Sequence, residues 1–114
     1  MKKDPTVYLG HMLDSVLAVE SYLVGVRKPS FMKDQKLQDA VVRRLEIIGE
    51  AAKRVTEKVR ESDASIPWKQ ICGMRDVLVH DYAFVDMNVV WPVAKREIPK
   101  LKKSIQALIK ELGE

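Results

Sequence analysis

Thiol and imidazole metal ligands are scarce in this chain: one cysteine, Cys72, and two histidines. A single cysteine closes no intrachain disulfide, and one thiol with two imidazoles makes a poor zinc set. No apolar run approaches the length of a membrane span, and the first residues, MKKDPTVYLG, lack the apolar stretch of a signal peptide. A reducing, cytoplasmic setting is therefore expected. No Gly-rich phosphate loop of the Walker type is present, so nothing argues for ATP binding by this chain, and no cofactor is expected. Internal repeats, low-complexity segments and strand-period alternation are all missing. Charge of one sign is not in large excess either. The net charge of +4 is compatible with a nucleic-acid partner but falls short of a strongly basic stripe.

What remains is an ordinary globular composition, with 46% hydrophobic and 32% charged residues in 114. That length suits a single domain, 1–114, with a modest core whose leftover apolar surface is expected to be covered in an oligomer. The apolar residues recur at helical spacing. Asp4-Pro5 reads as a capping aspartate followed by proline at the first helical position. Leu9, Met12, Leu13, Val16, Leu17, Val19 and Leu23 then carry a first helix over roughly 5–26, closed by Gly25 and Pro29 around the turn RKPS. A second start near Asp34 opens a long helix through Leu37, Val41, Leu45, Ile48, Ala52, Val55 and Val59, ending in ESDAS. Its other face carries Arg43, Arg44, Glu50, Lys53, Arg54 and Lys58, read as solvated charge pairs. Ile66-Pro67-Trp68 opens a third helix that stops near Tyr82, and Asp86 caps the last segment. Pro92 and Pro99 predict that this segment is bent or divided, because an interior proline costs about 3 kcal/mol. Ile98, Leu101, Ile105, Leu108 and Leu112 form its second apolar seam. The expected fold is an all-α up-and-down bundle of four to five helices.

Unusual chemistry concentrates in GMRDVLVHDYAF. Arg75, Asp76, His80, Asp81 and Tyr82 fall within eight residues, and Val77, Leu78 and Val79 are expected to hold their helix in the core. A guanidinium and an imidazole beside a core strip need partners or a ligand. One reading pairs Arg75 with an acid from a neighbouring helix and leaves His80 a satisfied core histidine. The other makes them a site. Asp76 and His80 lie one turn apart on the same side of the helix. Arg75 and His80 point roughly 140° apart on a regular helix. They converge if the helix frays, if Arg75 swings round, or if a second subunit supplies one of them across a two-fold axis.

The pattern Arg, polar residue, three apolar residues, His, any residue, Tyr resembles the signature of HEPN ribonucleases, and of HepT-type toxins in particular. Arg75, His80 and Tyr82 match it position by position, and Asp76 takes the polar place where asparagine is common. The flanks VVRRLEIIGEAAKRV, WKQICGMRD and VVWPVAKREIPKLKKSI are similar as well, so the resemblance covers residues 5 to 112. It implies a HEPN-type homodimer whose paired motifs line one cleft and cleave RNA without a metal. Arg75 and His80 would then be catalytic, with Asp76 and Tyr82 supporting. His80 would act as general base or acid, Asp76 would orient the imidazole, and Arg75 would stabilise the pentacoordinate phosphate. The resemblance also implies a type VII-like toxin–antitoxin pair, in which a minimal nucleotidyltransferase antitoxin transfers AMP onto Tyr82. Tyr82 as a core residue is the plainer alternative. A competing function from another class is a non-catalytic helical dimer acting as an adaptor for the nucleotidyltransferase. His11 receives no role; Trp68 and Trp91 read as core or interface anchors. Glu50 and Arg44 fit either support of the cleft or ordinary charge pairing, and Lys100, Lys102, Lys103 and Lys110 read most simply as a solvated outer face.

Overall fold

The computed structural model describes residues 6–113, which fold into helices and connecting turns with no strand among them. The expected cap at Asp4-Pro5 lies outside the described residues. Helix α1 (Val7–Tyr22) buries Leu9, Met12, Val16 and Val19 completely, a spacing that keeps one stripe on the core. It ends where the Leu23 amide reaches back to Val19 and Glu20, and Gly25 turns the chain with φ of 71°.

Where the sequence suggested only a turn, a short helix α2 (Lys28–Lys33) forms, with Pro29 in its first turn. Proline there reads as a helix start as readily as a turn, and burial of Phe31 decides between them. The Phe31 ring lies 5.2 Å from that of Trp91, and its carbonyl accepts a 2.9 Å hydrogen bond from the buried Gln38 amide. Asp34 ends α2 and caps α3 (Gln35–Arg54), its carboxylate accepting the Leu37 amide at 3.0 Å.

The long second helix is divided. Val55 adopts extended backbone, Thr56 caps a separate α4 (Glu57–Ser62), and Val59 still reaches the core. Arg60 stabilises the break: its guanidinium donates to the Ala52 carbonyl at 2.8 Å and the Val55 carbonyl at 3.2 Å. The Ala52 carbonyl also accepts the Val55 amide at 3.2 Å, so Arg60 adds a second bond there and supplies the Val55 carbonyl beyond the helix end.

Helix α5 (Trp68–His80) starts after Pro67, and the Trp68 indole N–H donates to the Asp63 carbonyl at 3.1 Å. It stops at His80, two residues before the expected end, because Asp81 leaves helical backbone and a 3₁₀ turn spans Tyr82–Phe84. Asp86 caps α6 (Met87–Pro92) as expected. The last segment runs through a π-helical turn at Val93–Glu97 into α7 (Ile98–Gly113). Pro99 has no amide to offer the Lys95 carbonyl and its ring crowds that oxygen, so the helix widens there rather than stopping. Ile98, Ile105 and Leu108 are buried, with Leu101 and Leu112 partly so.

The bundle is layered: α7 and α3 both pack against α1, and α5 packs against α3 at the edge. Only Leu78 of the apolar triplet in α5 is in the core; Val77 is about half exposed. An edge position gives α5 one face on α3 and leaves the other to solvent. No helix among the described residues is long and apolar enough to cross a membrane. Asp34→Ala is expected to lower stability by about 1 kcal/mol through loss of the α3 cap, measured by urea denaturation.

Candidate functional site

Helices α3 and α5 meet at Gly49. A Cβ built on Gly49 would lie 2.2 Å from Arg75 Cβ and 3.1 Å from the Ile71 carbonyl oxygen. Glycine inside a helix costs about 1 kcal/mol relative to alanine, so its place here marks a close approach that a side chain would prevent. The approach fixes the Arg75 stem against α3. Gly49 was not singled out from the sequence, although an isolated glycine within a long helical pattern is the signal that would have found it.

From that clamp the Arg75 guanidinium reaches two carboxylates. Its Nε lies 4.0 Å from Glu50 on α3, and Nη1 donates to Asp76 at 3.1 Å. Nε itself is buried without a hydrogen-bond partner among the described residues, and Nη2 makes no hydrogen bond there. Arg75 is thus partly paired with acids, as one reading of the sequence expected, and retains an unused donor edge.

Asp76 departs from expectation. Its carboxylate accepts from the Lys53 ammonium on α3 as well as from Arg75, and no hydrogen bond joins it to His80 among the described residues. An ammonium and a guanidinium both give the carboxylate charge-assisted hydrogen bonds, which are the stronger ones. The hydrogen bond from Lys53, and then that from Arg75, hold the Asp76 carboxyl below the ordinary aspartate range. Its ionised form is therefore fully present above the unfolded aspartate value and is lost only as pH falls through the lower folded value. Lys53, read from the sequence as part of a solvated face, is the other residue the sequence did not reveal. Glu50 does belong to this seam, bridging Arg75 and Arg43, the latter at 3.7 Å. Arg44 does not: it donates to the Tyr22 hydroxyl on α1.

His80 and Tyr82 are not core residues. His80 is the exposed last residue of α5, and Tyr82 is 78% exposed in the turn that follows. Phe84 is 87% exposed beside it. Because α5 is helical up to His80, Arg75 and His80 diverge around one helix by roughly 140°. Fraying does not bring them together within this chain. Elsewhere the anchoring roles hold: Trp68 is buried, and Trp91 packs on Phe31. His11 stacks edge-on against Tyr8 and lines a pocket with Glu50 and Arg54 of α3. In the basic tail Lys102 pairs with Glu20 at 2.8 Å and Lys100 with Glu97 at 3.5 Å. No three His, Cys, Asp or Glu side chains converge as metal ligands among the described residues.

Fold and site together define an all-α bundle with a solvent-open seam of two cations and two carboxylates between two helices. The family model described as Ribonuclease HepT-like matches residues 12–108, and the chain belongs to that family. It is 44% identical over 112 residues to "Gamma-glutamylcyclotransferase and putative RNase" from Methanocaldococcus jannaschii, covering 98% of this chain and 50% of that protein. The chain thus spans half the length of that relative. It is 38% identical over 109 residues to a "Putative RNase" of Caldanaerobacter subterraneus subsp. tengcongensis, covering 96% of this chain and 97% of the relative. "Probable ribonuclease HepT" of Thermococcus cleftensis is 36% identical over 110 residues, covering 96% of this chain and 100% of the relative. No solved structure matches the chain.

Gly49→Ala is expected to destabilise the protein by about 1–3 kcal/mol, the usual cost of overpacking a tight contact. Gly10→Ala, on α1 where an added Cβ meets nothing within 4 Å, should instead stabilise slightly. Thermal unfolding of both variants beside wild type measures the difference.

Proposed function

We propose that the chain is a metal-independent endoribonuclease toxin, a single HEPN-type domain acting in the cytoplasm as a homodimer. The observation that carries the reading is the exposed end of α5, which presents His80 and Tyr82 to solvent, while Arg75, on another side of the same helix, is only partly answered by acids. A core histidine and a core tyrosine would have argued for a purely structural motif.

RNA brings its own nucleophile, so the protein has only to move protons and stabilise charge. His80 accepts the proton of the 2′-hydroxyl, O2′ bonds to phosphorus, and the P–O5′ bond breaks. The imidazolium returns a proton to the leaving 5′-oxygen, and a 2′,3′-cyclic phosphate remains. General acid–base catalysis of this kind contributes about 10²–10⁴-fold. Arg75 meets the negative charge of the pentacoordinate phosphate with a rigid, permanently charged fork. Asp76 supports the site through Arg75 rather than through His80.

The divergence of Arg75 and His80 favours a composite site, with one residue from each subunit. The exposed face of α5 supports such a dimer. Gly73, Val77 and His80 follow one another along it, and Tyr82 and Phe84 continue it as an apolar patch. An added Cβ at Gly73 meets nothing within 4 Å, so nothing in this chain demands glycine there, whereas close approach of a second backbone would.

Tyr82 serves a second purpose in this reading. Its exposed hydroxyl attacks the α-phosphate of a nucleoside triphosphate held by a minimal nucleotidyltransferase antitoxin, pyrophosphate leaves, and O-AMP-tyrosine forms. The added anion occupies the cleft and repels the RNA backbone. The pair is of the type VII-like toxin–antitoxin kind.

An RNA-cleavage assay in EDTA tests the proposal. Wild-type protein should leave cyclic-phosphate ends, while folded His80→Ala and Arg75→Ala should each lose at least about 10²-fold in rate. No cleavage of varied RNAs by unmodified, folded wild type favours the non-catalytic adaptor, and cleavage that survives His80→Ala displaces the site.

A further inference from the structure

We propose that Lys53 is a second phosphate-binding cation of this site, and that Asp76 is an internal anion which the RNA phosphate displaces. The inference rests on the ribonuclease reading above. Two cations from different helices, Lys53 on α3 and Arg75 on α5, donate to the same oxygen of Asp76. That is the donor arrangement that holds one oxygen of a phosphodiester, and the carboxylate oxygen stands where the phosphate oxygen would bind.

Of the other cations of α3, Lys36 lies near the far end of the helix, and the three arginines have partners of their own. Arg43 pairs with Glu46 and Glu50, Arg44 donates to Tyr22, and Arg54 lies over the Tyr8 ring at 5.8 Å. Lys53 alone among them reaches the motif helix within the described residues. It is also accessible: the Lys53 and Asp76 side chains are 39% and 47% exposed, so a ligand reaches both without unfolding anything.

The two cations differ in freedom. Arg75 is clamped at its stem by Gly49, whereas lysine carries its charge on a flexible four-carbon stem. Arg75 therefore sets the register of the phosphate, and Lys53 transfers from the carboxylate to the arriving anion. The Asp76 carboxylate stays tethered to α5 and turns to solvent as the phosphate takes its place between the same two cations. Before RNA arrives, Asp76 spares the seam two unpaired cations held side by side.

The account makes opposite predictions for the two ends of one ion pair. Binding of a 2′-O-methyl oligoribonucleotide, which lacks the nucleophile and is not cleaved, is measured by fluorescence anisotropy over a range of salt. Lys53→Ala should weaken binding several-fold and reduce the slope of log affinity against log salt by about 0.7, the value for one lost contact to a single strand. Lys53→Arg should keep the slope. Asp76→Asn removes the competing anion and should tighten binding. Lys36→Ala removes an exposed charge about 25 Å away along α3 and should leave the slope nearly unchanged. Thermal unfolding confirms that each variant is folded. An unchanged slope in Lys53→Ala overturns the inference, as does Asp76→Asn weakening binding in parallel with Lys53→Ala, because the pair is then only structural. In either case a wild type that binds and cleaves RNA leaves the ribonuclease reading standing. Failure of wild type to bind RNA at all overturns both.

Discussion

The contact between Gly49 and Arg75 is the constraint on which the rest of the site depends. It lets α5 approach α3 closely enough for the Arg75 stem to lie on α3 backbone, which places the guanidinium between Glu50 and Asp76. The same approach brings Lys53 to Asp76. A seam with a side chain at position 49 would separate the helices, and the four charges would fall back into separate solvated pairs worth little each. One absent methyl group thus determines how closely α5 approaches α3 at Arg75.

A modest overall charge is consistent with this local arrangement. The chain carries only +4, and many of its cations are answered by nearby acids, carbonyls or rings. At the Arg75–Lys53 seam the two cations are likewise answered, by Asp76 and Glu50. The edge placement of α5 completes the picture: the side facing α3 organises charge, and the far side leaves Val77, His80 and the Tyr82–Phe84 turn exposed to solvent.

How much of this the sequence disclosed follows from the range of each interaction. Caps at Asp34 and Asp86 were legible because they are settled within three residues. The strained passage around Pro92 and Pro99 was legible too, since proline acts on its own turn. The break between α3 and α4 was not, because Val55 and Val59 preserve the apolar rhythm while Arg60 folds back onto the carbonyls of α3. Family and candidate residues were readable from RDVLVHDY and its flanks. The partners of Asp76 were not: spacing along one helix offered His80, whereas Lys53 comes from another helix. The run Val77-Leu78-Val79 likewise suggested a buried segment, and only Leu78 proved to be one, since an edge helix needs a single apolar line to stay attached.

The central claim is that Arg75 of one subunit works with His80 of the other, and subunit mixing tests it most directly. Arg75→Ala and His80→Ala proteins, each inactive alone, are unfolded, mixed in equal amounts and refolded, and RNA cleavage is measured. A composite site regenerates one intact centre in each mixed dimer, so about a quarter of wild-type activity should return for random two-fold pairing. If the mixture forms mixed dimers and stays inactive, the two residues act within one subunit and the composite site is wrong.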